Sequence, residues 1–173
     1  KFLEIDVNFS LGFRPGVDEQ VVCDFLNRTQ PMILNTILTL DKTDFLMHLC
    51  AHLYKEATVM SWIEMGRDIS LYKYCDIYLF LRKFMDDEFA RELIQRINNV
   101  GLNKECYYAL NYAKELFEID DAALDMLLKE IQPADMSFMT QVLDPQTGKV
   151  YSYDMQYKDW VFCSDRKGKL YET

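Results

Sequence analysis

Two carboxylates near the start of the chain, Glu4 and Asp6, stand two residues apart in the segment KFLEIDVNFSL. Apolar residues alternate with them, which is typical of a half-buried β-strand, so both carboxylates fall on its polar face. Mg²⁺ sites use one or two carboxylates together with substrate phosphates, and this pair has the residue types for such a site. Two acids on a strand face are, however, more often solvated than bound to a metal.

The two histidines of the chain, His48 and His52, are four residues apart in the segment HLCAH and fall on one face of a predicted helix. A zinc-protease motif of the HExxH type would need a glutamate where this sequence has Leu49. No CxxC pair or third histidine completes a zinc set, so we interpret the histidines as buried and hydrogen-bonded. Lys55, one turn beyond His52, is either a phosphate contact or a solvated side chain.

A third candidate, Asp76, lies among aromatic and aliphatic residues in the segment YKYCDIYLFL. A buried carboxylate without a partner would be strongly destabilising, so we predict a partner for Asp76. Lys73, three residues earlier, and His52 of the preceding helix are the two candidates. We expect a structural pair rather than a functional one.

The sequence pattern around these residues predicts an α+β fold that is mainly α. An N-terminal strand is followed by a short helix from Val17 or Asp18, then by a helical array and a C-terminal β-hairpin. The predicted domains are a sheet region over 1–40, a helical domain over 41–132 and a hairpin appendage over 133–173. The array comprises helices over 42–57, 68–84, 86–101, 103–118 and 120–132, and the second of these, apolar nearly all round, is predicted to be central.

Composition limits the classes of function. The chain has 173 residues and a formal net charge of −9, which disfavours non-specific binding to nucleic acid. Its five cysteines form no CxxC pair, which indicates reduced thiols in a cytoplasmic protein. No apolar run is long enough to cross a membrane. Because the chain lacks an initiator Met and begins on a strand residue, we expect it to be a piece of a longer protein.

Three segments carry a resemblance to a known family: IDVNFSL, DFLMHLCAHLYKE and DISLYKYCDIYLFL. Over about residues 1–115 the chain resembles the later part of the uncharacterised nucleotidyltransferase family of bacteria. That family is an AbiEii-related branch of the DNA polymerase β-like superfamily. Asp6 matches the acidic position of the family's strand, and LMHLCAHLYK matches its helix L-x-H-L-C-x-H-x-x-K. Asp76 and Ile77 match the D-[IL] pair of the family's following helix.

The resemblance implies transfer of a nucleotidyl group from an NTP to an unknown acceptor. Asp6 would be the third carboxylate of a Mg²⁺ site, and His52 and Lys55 would lie near the nucleotide or the acceptor. His48, Lys73 and Asp76 would support the site. The Gly-Ser and D-x-D elements of the superfamily do not occur in these residues, so we expect the chain alone to be inactive.

The alternative is a non-catalytic helical binding or regulatory module derived from the same family. Its C-terminal hairpin would then be the surface that docks a protein partner.

Overall fold

A computed structural model describes residue 11 and residues 17–31 and 37–173. This part of the chain is mainly helical and carries small antiparallel sheets, as predicted. The helices are α1 (Val17–Asn27), α2 (Lys42–Ala57), α3 (Met60–Glu64), α4 (Leu71–Phe84), α5 (Asp87–Val100), α6 (Asn103–Phe117), α7 (Ala122–Ile131) and α8 (Tyr157–Phe162). The strands are β1 (Gln30–Pro31), β2 (Leu38–Thr39), β3 (Gln141–Leu143), β4 (Val150–Ser152) and β5 (Tyr171–Glu172).

Helix boundaries follow the capping residues of the sequence. The side chain of Asp41 accepts a hydrogen bond from the Thr43 backbone N–H at 2.9 Å, and α2 begins directly after it. Asp86 caps α5 in the same way, through the Phe89 N–H at 2.8 Å. At the other end of α5, Gly101 adopts φ of 72°, the left-handed conformation that glycine takes without strain. The predicted bounds of α2 are confirmed at both ends.

The centre of the helical array is α6, which packs against α2, α4, α5 and α7. The prediction that the segment over 68–84 forms the central helix is wrong. Helix α4, which lies within that segment, exposes Leu71, Tyr72 and Leu79 by 42%, 63% and 62%. Its other face, with Tyr74 and Ile77, is buried. Helix α4 therefore has one buried and one exposed face, although aromatic and aliphatic residues on both faces make this difference invisible in the sequence.

The C-terminal sheet has the strand order β3-β4-β5, so β4 is its middle strand. The predicted hairpin is confirmed by the antiparallel pairing of β3 with β4, in which Val142 faces Tyr151. Residues 144–148 form the turn, closed by the Gly148 N–H bonded to the Asp144 carbonyl at 2.8 Å. The sequence did not predict the third strand, β5, or the short helix α8 that precedes it.

One hydrophobic core runs through the helical array and the C-terminal residues. Trp160 of α8 is fully buried, and Phe138 and Val142 belong to the same cluster as the helix residues. Arg166 also holds Asp68, in the connection before α4, through two bonds of 2.6 and 2.7 Å. This bidentate pair ties the C-terminal residues to the helical array. The three-domain division stays a prediction.

A buried carboxylate anchors the start of α2 to two other elements. The side chain of Asp44 is fully buried and accepts bonds from Arg96 of α5 at 2.6 and 3.2 Å. Arg28, just after α1, donates to the same carboxylate at 3.1 Å. Arg96 also contacts Asp24 of α1 at 2.5 Å. Asp44 binds two arginines and Arg96 binds two carboxylates, so one network of ion pairs links α1, α2 and α5.

We predict that Asp44→Asn lowers the free energy of unfolding by about 3 kcal/mol or more, because it leaves two arginines beside a buried neutral side chain. The measurement is urea unfolding followed by circular dichroism. The matched control is Asp125→Asn, which removes a half-exposed partner of Lys114 and should cost less than about 1 kcal/mol. Equal costs for the two substitutions would contradict a buried anchoring role for Asp44.

Candidate functional site

The candidate metal carboxylate Asp6 and its neighbour Glu4 lie outside the described residues. Their place in a strand and the role of Asp6 stay predictions. The other candidate residues, on α2 and α4, are all described. The site is therefore built from these two helices.

Three polar side chains line up along α2 at intervals of four residues: His48, His52 and Glu56. The imidazole rings of His48 and His52 are stacked, with centroids 6.1 Å apart. His52 Nε2 lies 3.1 Å from Glu56 Oε1. The sequence analysis did not identify Glu56 as a candidate, although its position one turn after His52 is a signal visible in the sequence.

Glu56 is the centre of a charge cluster that joins α2 to α4. Its other carboxylate oxygen accepts a hydrogen bond from the Lys73 ammonium. Glu56 is 6% exposed, whereas the His52 side chain keeps 32% of its surface accessible. The prediction that Lys73 is a partner of Asp76 is wrong, because Lys73 pairs with Glu56. We name Glu56, His52 and Lys73 the α2–α4 charge cluster.

The charge state of this cluster follows from its contacts. Burial alone would raise the pKa of Glu56, but hydrogen bonds from His52 and Lys73 outweigh it and hold the pKa below its ordinary value of 4.5. Glu56 is therefore a carboxylate at neutral pH. A carboxylate accepts only, so His52 donates its Nε2–H to it, and in the neutral ring Nδ1 is left as the acceptor nitrogen.

His48 is the more buried histidine, and its environment disfavours a charge. Burial, and then the neighbouring charge of His52, lower the pKa of His48 below 6.5. Both histidines have intermediate exposure, so the prediction that they are buried is wrong, whereas the predicted hydrogen bond is found at His52. His52 instead combines a buried carboxylate partner with a partly accessible ring.

The prediction of a buried, paired Asp76 is wrong. Asp76 is exposed and lies beside a shallow cleft lined by Phe45, Leu49 and Leu79. Lys73, its expected partner, bonds to Glu56 instead. The residues that flank Asp76 in the sequence are divided between the two faces of α4. Asp76 itself lies on the exposed face.

Lys55 lines a cavity of about 380 Å³ at the C-terminal end of α2. The beginning of α6 and strands β3 and β4 form the other walls, and Leu11 closes one side. The lining residues are Leu11, Tyr54, Lys55, Thr58, Val59, Lys104, Glu105, Gln141, Leu143 and Val150. In the sequence, Lys55 directly precedes Glu56 of the α2–α4 charge cluster.

The described residues do not fit a metal centre. Over residues 17–31 and 37–173, no three His, Cys, Asp or Glu side chains are grouped so that they could hold an ion. The buried carboxylates Asp44, Asp68 and Glu56 already bond to basic side chains. All five cysteines are free thiols, and no helix among the described residues could cross a membrane.

Comparison with known proteins decides the family. The family model described as uncharacterised nucleotidyltransferase matches residues 2–118 of the 173. The chain belongs to this nucleotidyltransferase family. No curated protein and no solved structure matches it. The nucleotidyltransferase match includes α2, α4 and the whole α2–α4 charge cluster, whereas the C-terminal sheet lies beyond it.

We predict that Lys73→Met lowers the free energy of unfolding by about 2–4 kcal/mol, because Glu56 would stay buried with His52 as its remaining partner. Adding Glu56→Met should recover much of this loss, since an apolar pair avoids the cost of burying charge. Urea unfolding measures both effects. Lys83→Met, at an exposed lysine of the same helix, is the matched control. A Lys73→Met cost no larger than that of Lys83→Met would count against the cluster.

A second prediction concerns pH. His48 has a lowered pKa in the folded state, so the unfolded chain binds its proton first as the pH falls. Its contribution to stability is complete above 6.5 and is lost as the pH falls below that value. The wild-type protein should therefore lose stability relative to His48→Gln as the pH falls below 6.5. Urea unfolding at several pH values measures this difference, and a constant difference would refute it.

Proposed function

We propose that this chain forms the substrate-binding side of a nucleotidyltransferase. The supporting observation is the family match over residues 2–118, which includes a preformed cluster of charged groups on α2 and α4. In such a transfer the acceptor hydroxyl oxygen bonds to the α-phosphorus of an NTP. The bond between that phosphorus and the β-phosphate oxygen breaks, and pyrophosphate and a proton are released.

The residue roles follow the family resemblance and the geometry together. Asp6 is proposed as the carboxylate that helps to hold Mg²⁺, which when bound stabilises the charge on the phosphates. His52 and Lys55 are proposed to contact substrate. Glu56 positions the His52 ring through the 3.1 Å contact, and Lys73 keeps Glu56 ionised. His48 packs against His52 and supports it.

Chain connectivity supports placing Asp6 near this region. Leu11 is the fifth residue after Asp6, so covalent geometry limits the distance between their Cα atoms to about 18 Å. Leu11 lines the same cavity as Lys55. The carboxylate proposed for the metal and the lysine proposed for substrate are therefore within reach of one extended substrate. The sequence has no Gly-Ser or D-x-D pair, so we expect no transfer by these 173 residues alone.

A non-catalytic binding module is the second candidate. The observation in its favour is the exposure of aromatic side chains on the C-terminal unit, with Phe162 exposed by 73% and Tyr171 by 51%. Exposed aromatic side chains are common in protein interfaces. In this alternative the C-terminal sheet docks a protein partner and His52 and Lys55 carry no chemistry. In both candidates we place the protein in the cytoplasm.

The test assays the native polypeptide that contains this chain, with Mg²⁺ and each of the four NTPs labelled on the α-phosphate. We expect label transfer that falls by about 100-fold or more in Asp6→Asn, on the scale of losing a main electrostatic group. Lys55→Ala should lower transfer by about 10-fold, the cost of one charge-assisted contact.

Asp125→Asn and Lys129→Ala are the matched controls, because both residues are exposed and distant in sequence from the candidate site. Transfer that persists undiminished in Asp6→Asn would eliminate the catalytic role given to that residue. Absence of transfer with every NTP would favour the non-catalytic module.

A further inference from the structure

The cavity beside Lys55 joins two parts of the chain that the family match separates. Its α2 and α6 walls lie within residues 2–118, whereas Gln141, Leu143 and Val150 lie outside that range. The Leu143 N–H bonds to the Thr58 carbonyl at 2.8 Å, which closes the sheet wall against the end of α2. A volume of about 380 Å³ is within the usual range for small-molecule sites.

The cavity combines apolar walls with a few polar groups. Val59 is the second residue after α2, and Leu143 and Val150 occupy paired positions of β3 and β4. Gln141 contributes an amide, and Tyr54 contributes a ring that packs edge-on against Tyr108 at 5.1 Å. Such walls favour a ligand whose main part is apolar or aromatic.

The charged side chains limit the ligand further. The described lining residues include two positive side chains, Lys55 and Lys104, and one negative side chain, Glu105, so these three sum to one positive unit. Lys104 is exposed, with its ammonium 5.6 Å from the ring centroid of Phe138. One positive unit matches one anionic group on a ligand. It is a poor match for the several negative charges of a triphosphate, which need more positive charge or a metal ion.

We propose that this cavity binds the acceptor of the transfer reaction, a small molecule with an apolar or aromatic body, one anionic group and a hydroxyl. Lys55 and Lys104 hold the anionic group, and the walls from α2 and the C-terminal sheet enclose the body. The acceptor role rests on the proposed function above, whereas the ligand class rests on the cavity itself. The C-terminal residues outside the family match thereby select the acceptor.

Binding is tested with the 173-residue chain and 1-anilinonaphthalene-8-sulfonate, a fluorescent probe with an aromatic body and one anionic group. We expect saturable binding at one site. Lys55→Ala and Lys104→Ala should each weaken it about two- to fivefold, as for partly exposed charge contacts, and the pair about tenfold. Val150→Trp, which fills the cavity, should abolish it. Lys129→Ala is the matched control, and circular dichroism verifies that each variant is folded.

Competition identifies the ligand class. Octyl phosphate should displace the probe, whereas ATP without Mg²⁺ should not. Displacement by ATP with the same dependence on Lys55 and Lys104 would make the cavity a nucleotide site and overturn the proposal. The proposal would also be overturned if the affinity for the probe were unchanged in Lys55→Ala, Lys104→Ala and Val150→Trp.

A transfer assay separates this inference from the proposed function. In the native polypeptide, Val150→Trp should lower transfer to the acceptor at least tenfold while ATP binding stays unchanged. If no NTP supports transfer but the probe binds as predicted, the proposed function is refuted and the ligand class of the cavity is retained. If transfer occurs and Val150→Trp leaves it unchanged, the acceptor site is wrong and the transferase stands.

Discussion

Two buried carboxylates on one helix constrain the structure around them. Asp44 and Glu56 lie near opposite ends of α2, and both are almost completely removed from solvent. A buried charge is tolerated only with well-placed counter-charges, and these come from α5 for Asp44 and from α4 for Glu56. Replacing either ion pair by apolar residues need not reduce stability, but each fixes which helices meet α2 and where. Helix α2 is thereby held at two points along its axis.

This double attachment determines what the remaining faces of α2 present. Successive residues on a helix are 100° apart, so fixing Glu56 toward α4 directs the neighbouring Lys55 to an adjacent face. That face meets the beginning of α6 and the C-terminal sheet, where the cavity lies. His52, one turn before Glu56, is held by the same carboxylate. The orientation of two candidate substrate residues therefore follows from one ion pair between α2 and α4.

Local signals in the sequence predicted much of this architecture, and non-local pairing explains the rest. Asp41 and the spacing of apolar residues were sufficient to predict α2, because capping and periodicity act within one helix. The partner of Lys73 was not readable, since Glu56 lies seventeen residues away on another helix. Asp76 was placed wrongly because apolar side chains on both faces of α4 hide which face is solvated. The family resemblance located His52 and Lys55, but it gave no indication of the cavity, whose sheet wall comes from residues beyond 118.

The C-terminal residues are thus part of the candidate site as well as of the core. Trp160 is fully buried, and its ring stacks on that of Tyr153 with centroids 3.9 Å apart. The phenolic oxygens of Tyr74 in α4 and Tyr157 in α8 are hydrogen-bonded to each other. Removing these residues would expose the core of the helical array, so they cannot vary independently of it. The C-terminal sheet region therefore has two structural roles: it contributes Val142 to the core of the helical array, and it forms one wall of the cavity that Lys55 lines.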